Sequence, residues 1–272
     1  MKKTNNKKKI FLAVWIGLIV LILAAIFALG LGAEKSESVK EVMRDGVLHE
    51  RNKISFFGLL VNPAVVSAYV VSAVLIFTAA LIRIFAVPKF TEIPGKFQMV
   101  LEELVGFFSK MASANSPHKT GFVGAYIFGA GGYIFFSTIF ELFGIQAVTS
   151  SGISVSLPAP ISDINGALAV GISSYLVILL AGLFTKGIKG LLGALKDFSL
   201  PVSMSFRLFG ALLSGLLVTE LVYYYTSLSF VLPVFVGVMF TLLHAAIQTY
   251  VLSTLVSIFY GESVEPINKK IK

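Results

Sequence analysis

Long apolar runs, separated by short polar segments that carry most of the lysines, set the pattern along this chain. The first extends from Ile10 to about Gly32, behind a basic head at Met1–Lys9, and is long enough to span a bilayer. A second, from Pro63 to about Val87, is opened by Asn62-Pro63 as a helix start and closed by Pro88. From Phe97 the pattern changes. Apolar residues at Phe97, Val100, Leu101, Leu104, Val105, Phe108 and Met111 make the stripe of an amphipathic helix, which beside membrane spans belongs at the interface. A third span covers Gly121 to about Gly144, where glycines allow close helix packing. A fourth starts from the cap Ser162-Asp163-Ile164-Asn165 and ends near Phe184. The last two runs, about Leu200–Thr226 and about Leu232–Tyr260, reach or exceed bilayer length, which predicts tilted or bent helices.

The pattern therefore predicts an all-α integral membrane protein of about six spans with one interfacial helix. Three segments follow: a basic N-terminus with the first apolar run (1–33), an external mixed-charge segment, partly helical (34–62), and a membrane domain (63–272). The first run has two readings. A basic head before an apolar stretch is also the signature of a signal sequence, and Ala28-Leu29-Gly30 is a poor cleavage site. The run of about 22 residues is long for a signal sequence, which favours retention as a span.

Composition strengthens this picture: of 272 residues, 56% are hydrophobic and 13% charged, with a mean hydropathy of +0.89. A soluble domain carries about 25% charged residues. The absence of cysteine excludes disulfides, thiolate metal sites and a cysteine nucleophile. His49, His118 and His244 have no metal-ligand spacing, and neither a phosphate loop nor a dinucleotide fingerprint is present, so no metal or cofactor is expected. The net charge of +8 invites a nucleic-acid reading. The basic residues, however, fall in short clusters between apolar runs and report topology instead. Of 22 lysines and arginines, five lie in the external stretch Lys35–Lys53 and sixteen on the opposite side, which predicts both termini in the cytoplasm if the first run is retained.

The remaining cation is Arg207, inside an apolar run, where an arginine costs about 2.5 to 3.5 kcal/mol on insertion scales. On a helix its neighbours at i−4, i+3, i+4 and i+7 are Ser203, Gly210, Ala211 and Ser214, a strip of small residues that lets a large partner approach the guanidinium. Glu220 lies on the same predicted helix, but about 20 Å along it and roughly 140° around it, so the two cannot pair. Glu141 and Asp163 lie near the outer surface. A buried cation without its own anion implies a partner on another chain. On the last predicted helix, Thr241, His244 and Gln248 form one polar stripe, which reads as a path for ions or water or as glue between helices. Arg207 and Glu220 on the neighbouring helix favour the path.

These residues resemble subunit a of the F-type ATP synthase, the stator of its membrane rotor, over about Pro63–Gly261. The resemblance rests on Ile93-Pro94-Gly95-Lys96-Phe97-Gln98 followed by Glu102-Glu103-Leu104, on Ser162-Asp163-Ile164-Asn165, on Pro201-Val202-Ser203 through Arg207-Leu208-Phe209-Gly210, and on Gln248. It implies two half-channels that carry protons to and from carboxylates on a rotating c-ring, with the last two helices facing that ring. Arg207 is then the essential charge opposite each carboxylate, favouring its ionised form and blocking leakage between the half-channels. Ser203, Gly210, Ala211 and Ser214 become the surface against which the ring slides. The partners implied are the c-ring, the peripheral stalk subunit b and, indirectly, the catalytic head, in a bacterial plasma membrane. The chain would bind no nucleotide itself.

Two positions depart from the family's pattern: Ala211 stands where asparagine is usual and Leu216 where glutamate is common, with Glu220 one turn further out. With Arg207 level with Gln248 on antiparallel helices, Glu220 and His244 stand about 14 Å apart along the axis. Water would have to join them in an outer half-channel whose mouth lies near Glu141 and Asp163. Sodium is the alternative coupling ion, since the ion's ligands lie mainly on the ring. A secondary transporter is a further alternative, but no internal repeat or pair of broken helices is present.

Overall fold

This computed structural model describes residues 13–21, 24–25, 38, 40, 53–56, 58–149, 152, 154–224 and 232–266. Five helices among the described residues are long and apolar enough to cross a membrane: Pro63–Lys89, Thr120–Phe143, Ile164–Lys186, Ser199–Thr219 and Val234–Val264. The protein is thus an all-α multi-pass membrane protein. Residues 13–21 are helical, and the rest of the expected first span lies almost wholly outside the described residues. The chain falls into two units, one formed by His49–Ser214 with Phe240–Lys272 and the other by Met1–Leu48 with Gly215–Met239.

Helix α1 (Pro63–Leu81) begins as the sequence dictates: Asn62 caps it, accepting from the Ala64 N–H at 3.1 Å, and Pro63 occupies the first turn, where its missing N–H costs nothing. Its end is set by Pro88. That residue offers no N–H to the carbonyl four residues back, and the helix widens into a π-helical turn, Ile82–Ala86, followed by a 3-10 turn, Val87–Lys89. The chain then turns into α2 (Lys96–Asn115), the expected amphipathic helix. Its stripe is divided along its length: Phe108, in the second half, is buried against α3 (Thr120–Phe140), whereas Phe97, Val100, Leu104 and Val105, nearer the start, are exposed. Phe108 meets Phe128 edge to face, with ring centroids 5.6 Å apart.

Glycine spacing explains how closely these elements approach. A Cβ at Gly131 of α3 would stand 2.9 Å from both the Phe108 ring and Ser253 Oγ, so any side chain here would force these neighbours to shift. Gly121, Gly129 and Gly132 face open space, so the glycines of this span are not one packing surface. Helix α3 ends in a 3-10 turn, Glu141–Phe143, and Gly144 takes a positive φ of 57°. The connection to α4 (Ile164–Lys186) is not a plain loop. It carries an antiparallel hairpin, β3 (Gln146–Val148) with β4 (Ser154–Ser156).

Another hairpin, β1 (Ile54–Phe56) with β2 (Leu59–Val61), occupies described residues of the segment expected to be partly helical. Gly58 supplies a positive φ of 82° for its turn, and Ile54 is buried with Val71, Phe140 and Leu157.

Helix α4 closes at Gly187, and α5 (Ile188–Leu195) folds back along it. A Cβ at Gly190 would collide with the Gly182 carbonyl, and Tyr175 donates to the Ala194 carbonyl at 3.2 Å. Helix α6 (Ser199–Tyr224) follows, and then α7 (Leu232–Val264). Within the larger unit α7 is tied to α3 by Thr249 Oγ1, which donates to the Gly131 carbonyl at 3.2 Å. It is tied to α2 by Asn115 Nδ2, which donates to Ser257 Oγ at 2.8 Å. The core of this unit is apolar, with Ile127, Ile134, Ile161, Ile178 and Val256 fully or nearly fully buried.

Candidate functional site

One face of α6 carries the arginine. Met204, Ser205, Leu208 and Leu212 are buried, at spacings that return to one side of a helix. What fixes that side is Gly171 of α4: a Cβ there would collide with Ser205 Oγ and stand 2.9 Å from the Pro201 carbonyl. The opposite face presents Ser203, Arg207, Gly210 and Ser214, all exposed, with Ala211 half-buried beside them. These small residues and the guanidinium share one face of α6, exposed among the described residues.

The surroundings of Arg207 are bare. Among the described residues it makes no side-chain hydrogen bond or ion pair. Apart from its own helix backbone and chain neighbours, no described atom lies within 4 Å of where a Gly210 side chain would begin, so a shelf opens beside the guanidinium. Ser214 spends its hydroxyl on the Ala211 carbonyl at 2.7 Å, which leaves the strip smooth rather than polar. Glu220 lies on the helical backbone of α6 but in the smaller unit.

On α7 the three polar residues differ in setting. Gln248 is buried, only 6% exposed, yet makes no side-chain hydrogen bond to a described residue. Among the described residues it ties no two helices together through its amide. His244 is partly exposed and stacks on Phe240, with ring centroids 5.7 Å apart and planes 15° apart. Its Nδ1 lies 2.6 Å from the Phe240 carbonyl, which can only accept, so Nδ1 carries the proton. Nε2 is left as the acceptor of the neutral ring. Thr241, half-buried, lies one turn before.

Glu141 and Asp163 belong to the end of the larger unit where α3 finishes and α4 starts. Glu141 is half-buried. Asp163 is already engaged: Oδ1 accepts from the Asn165 N–H at 2.7 Å as the cap of α4, and Oδ2 accepts from Asn62 Nδ2 at 2.5 Å. Asn62 was legible only as a helix start, and nothing local in the sequence pointed to a partner 101 positions away.

Gln98 explains the motif at Ile93–Gln98. Its side chain accepts from the Thr91 N–H at 3.1 Å and donates to the Thr91 carbonyl at 2.8 Å and to Glu102 at 2.7 Å. The turn containing Pro94-Gly95 is pinned to the first two turns of α2. No group of three histidines, cysteines or carboxylates that could hold a metal occurs among the described residues.

A family model for the ATP synthase A chain matches residues 65–261, most of the chain and all five of these spans or their greater part. The chain belongs to the ATP synthase A chain family. It is 36% identical over 121 residues to the chloroplastic ATP synthase subunit a of Bigelowiella natans, and 35% identical over 121 residues to that of Stigeoclonium helveticum. Each match covers 40% of this chain and 48% of the relative, so the chain spans about half the length of the curated relatives it matches. The family match agrees with the range, about Pro63–Gly261, over which the motifs carry the resemblance.

Proposed function

We propose that this chain is the stator ion channel of an ATP synthase membrane sector, passing ions to and from carboxylates on a rotating c-ring. The observation that carries the proposal is Arg207, an exposed cation in a membrane helix, without an ionic partner among the described residues, set in an open strip of small side chains. A cation so placed lacks its anion within the chain, and a moving carboxylate on another subunit supplies one at intervals. When that carboxylate arrives, the positive charge favours its ionised form and promotes release of the ion.

Glu220, His244, Gln248 and Thr241 are assigned to the ion pathway from their residue types and spacing on the last two helices, and Glu141 and Asp163 to the outer mouth. Protons are the proposed coupling ion, and polar ligands beside the ring carboxylate would indicate sodium instead. The partners are the c-ring, subunit b of the peripheral stalk and, through them, the catalytic head; the chain contributes no nucleotide chemistry of its own. The proposed location is a bacterial plasma membrane, with the lysine-rich ends of the spans in the cytoplasm.

The test is Arg207→Ala in the assembled complex. Ion-driven ATP synthesis is expected to vanish while the chain still co-purifies with the ring. Normal synthesis by this variant would overturn the reading.

A further inference from the structure

We propose that the larger unit carries a site for the phosphate of an anionic phospholipid headgroup, separate from the ion pathway. A cavity of about 460 Å³ opens among His118, Lys119, Thr185, Lys186, Val264 and Pro266. These residues mark the start of α3 and the ends of α4 and α7, so the cavity lies where membrane helices end, at headgroup level.

Its two ammonium groups are held in place and not exhausted. Lys119 Nζ donates to Thr185 Oγ1 at 3.1 Å, and Lys186 Nζ donates to the Glu262 carbonyl at 2.9 Å. Each ammonium has three donors, so two remain on each for a ligand. Neither lysine makes an ion pair with a described residue, and the nearby Glu262 and Glu265 are exposed. Lys119 is also the N-terminal flanking residue of α3, and no side chain caps that helix, which adds the positive end of its dipole.

The site suits an amphiphile better than a free ion. Phe184, next to Thr185, is 80% exposed, and Phe122, in the first turn of α3, is 62% exposed. Basic donors thus sit beside apolar surface on which acyl chains can lie, the arrangement by which lipid headgroups are held between membrane helices.

The experiment follows phosphatidylglycerol binding to the detergent-solubilised complex by native mass spectrometry, with phosphatidylcholine as the zwitterionic control. Wild-type protein is expected to retain phosphatidylglycerol preferentially. Lys119→Gln and Lys186→Gln are each expected to weaken that binding about fivefold, since one basic residue near an anionic surface contributes about 1 kcal/mol. The double variant Lys119→Arg with Lys186→Arg keeps the charge and should bind within about twofold of wild type, which separates loss of the site from loss of folding. Lys196→Gln should change nothing. Unchanged phosphatidylglycerol binding in both glutamine variants would overturn the proposal, and so would displacement of the lipid by millimolar inorganic phosphate.

Discussion

Asn62 and Asp163, each the cap of a different membrane helix, are joined side chain to side chain at 2.5 Å. The amide of Asn62 accepts from its own helix through Oδ1 and donates through Nδ2, while the two oxygens of Asp163 divide the same labour between Asn165 and Asn62. The start of α1 and the start of α4 are therefore one hydrogen-bonded unit. Asp163→Ala removes a cap and a charge-assisted bond together, and should destabilise the protein by about 2 to 4 kcal/mol. Asn62→Ala should cost about 1 to 2 kcal/mol. Because they share one bond, the double variant should lose less than the sum, measured by unfolding in mixed detergents. Strict additivity would show that the bond contributes nothing.

Glycines 171 and 210 should respond in opposite ways. Gly171→Ala forces a methyl against Ser205 and the Pro201 carbonyl, and should lower the yield of assembled chain, in keeping with about 1 to 3 kcal/mol for overpacking. Gly210→Ala meets nothing among the described residues and should leave the chain's stability unchanged or raise it by up to about 1 kcal/mol. Ion-driven synthesis should nevertheless fall in Gly210→Ala, because the methyl narrows the shelf beside Arg207. Full activity in that variant would remove the strip from the sliding surface.

Gln98 holds the Thr91 turn with donor and acceptor at once, so a truncation and a near-isosteric replacement differ. Gln98→Ala should open the turn to proteases between Thr91 and Gly95. Gln98→Glu puts a second carboxylate where the amide now meets Glu102, and should be cleaved faster still at neutral pH. Lowering the pH protonates one of the pair and removes the repulsion. Protection should then return in Gln98→Glu and not in Gln98→Ala, a difference read directly by limited proteolysis.

His244 should show an unusual proton position. Nitrogen NMR of histidine-labelled protein should find the neutral ring with Nδ1 protonated and Nε2 bare, because the Phe240 carbonyl accepts only from an N–H. The reverse tautomer would mean that the ring has turned away from Phe240.

Five spans and the amphipathic helix were legible because apolar length and period are local properties, and Arg207 because its cost is local too. The exposed face of α6 was legible in part: spacing put Ser203, Gly210 and Ser214 beside the arginine. That the other face is locked depends on Gly171, 34 positions upstream of Ser205, and no period reports it. The latch at Asp163 escaped for the same reason, since a carboxylate near an outer surface reads as available until its hydrogen bonds are known. Helix α5 escaped because lysines 186, 189 and 196 read as a polar return, whereas Gly187 and Gly190 turn that stretch into a short helix laid back on α4. Both β-hairpins are too short for the alternation of their strands to stand out from loop.

The close fit at Gly171 also has a mechanical consequence. With Ser205 seated where no Cβ could be, α6 cannot roll about its own axis without lifting off α4. A sideways push on Arg207 is then carried as a load into α4, and from the first turn of α4 across Asp163 and Asn62 into α1. The arginine is mounted on a braced beam, so torque applied at its tip is resisted by three helices rather than dissipated in the twist of one.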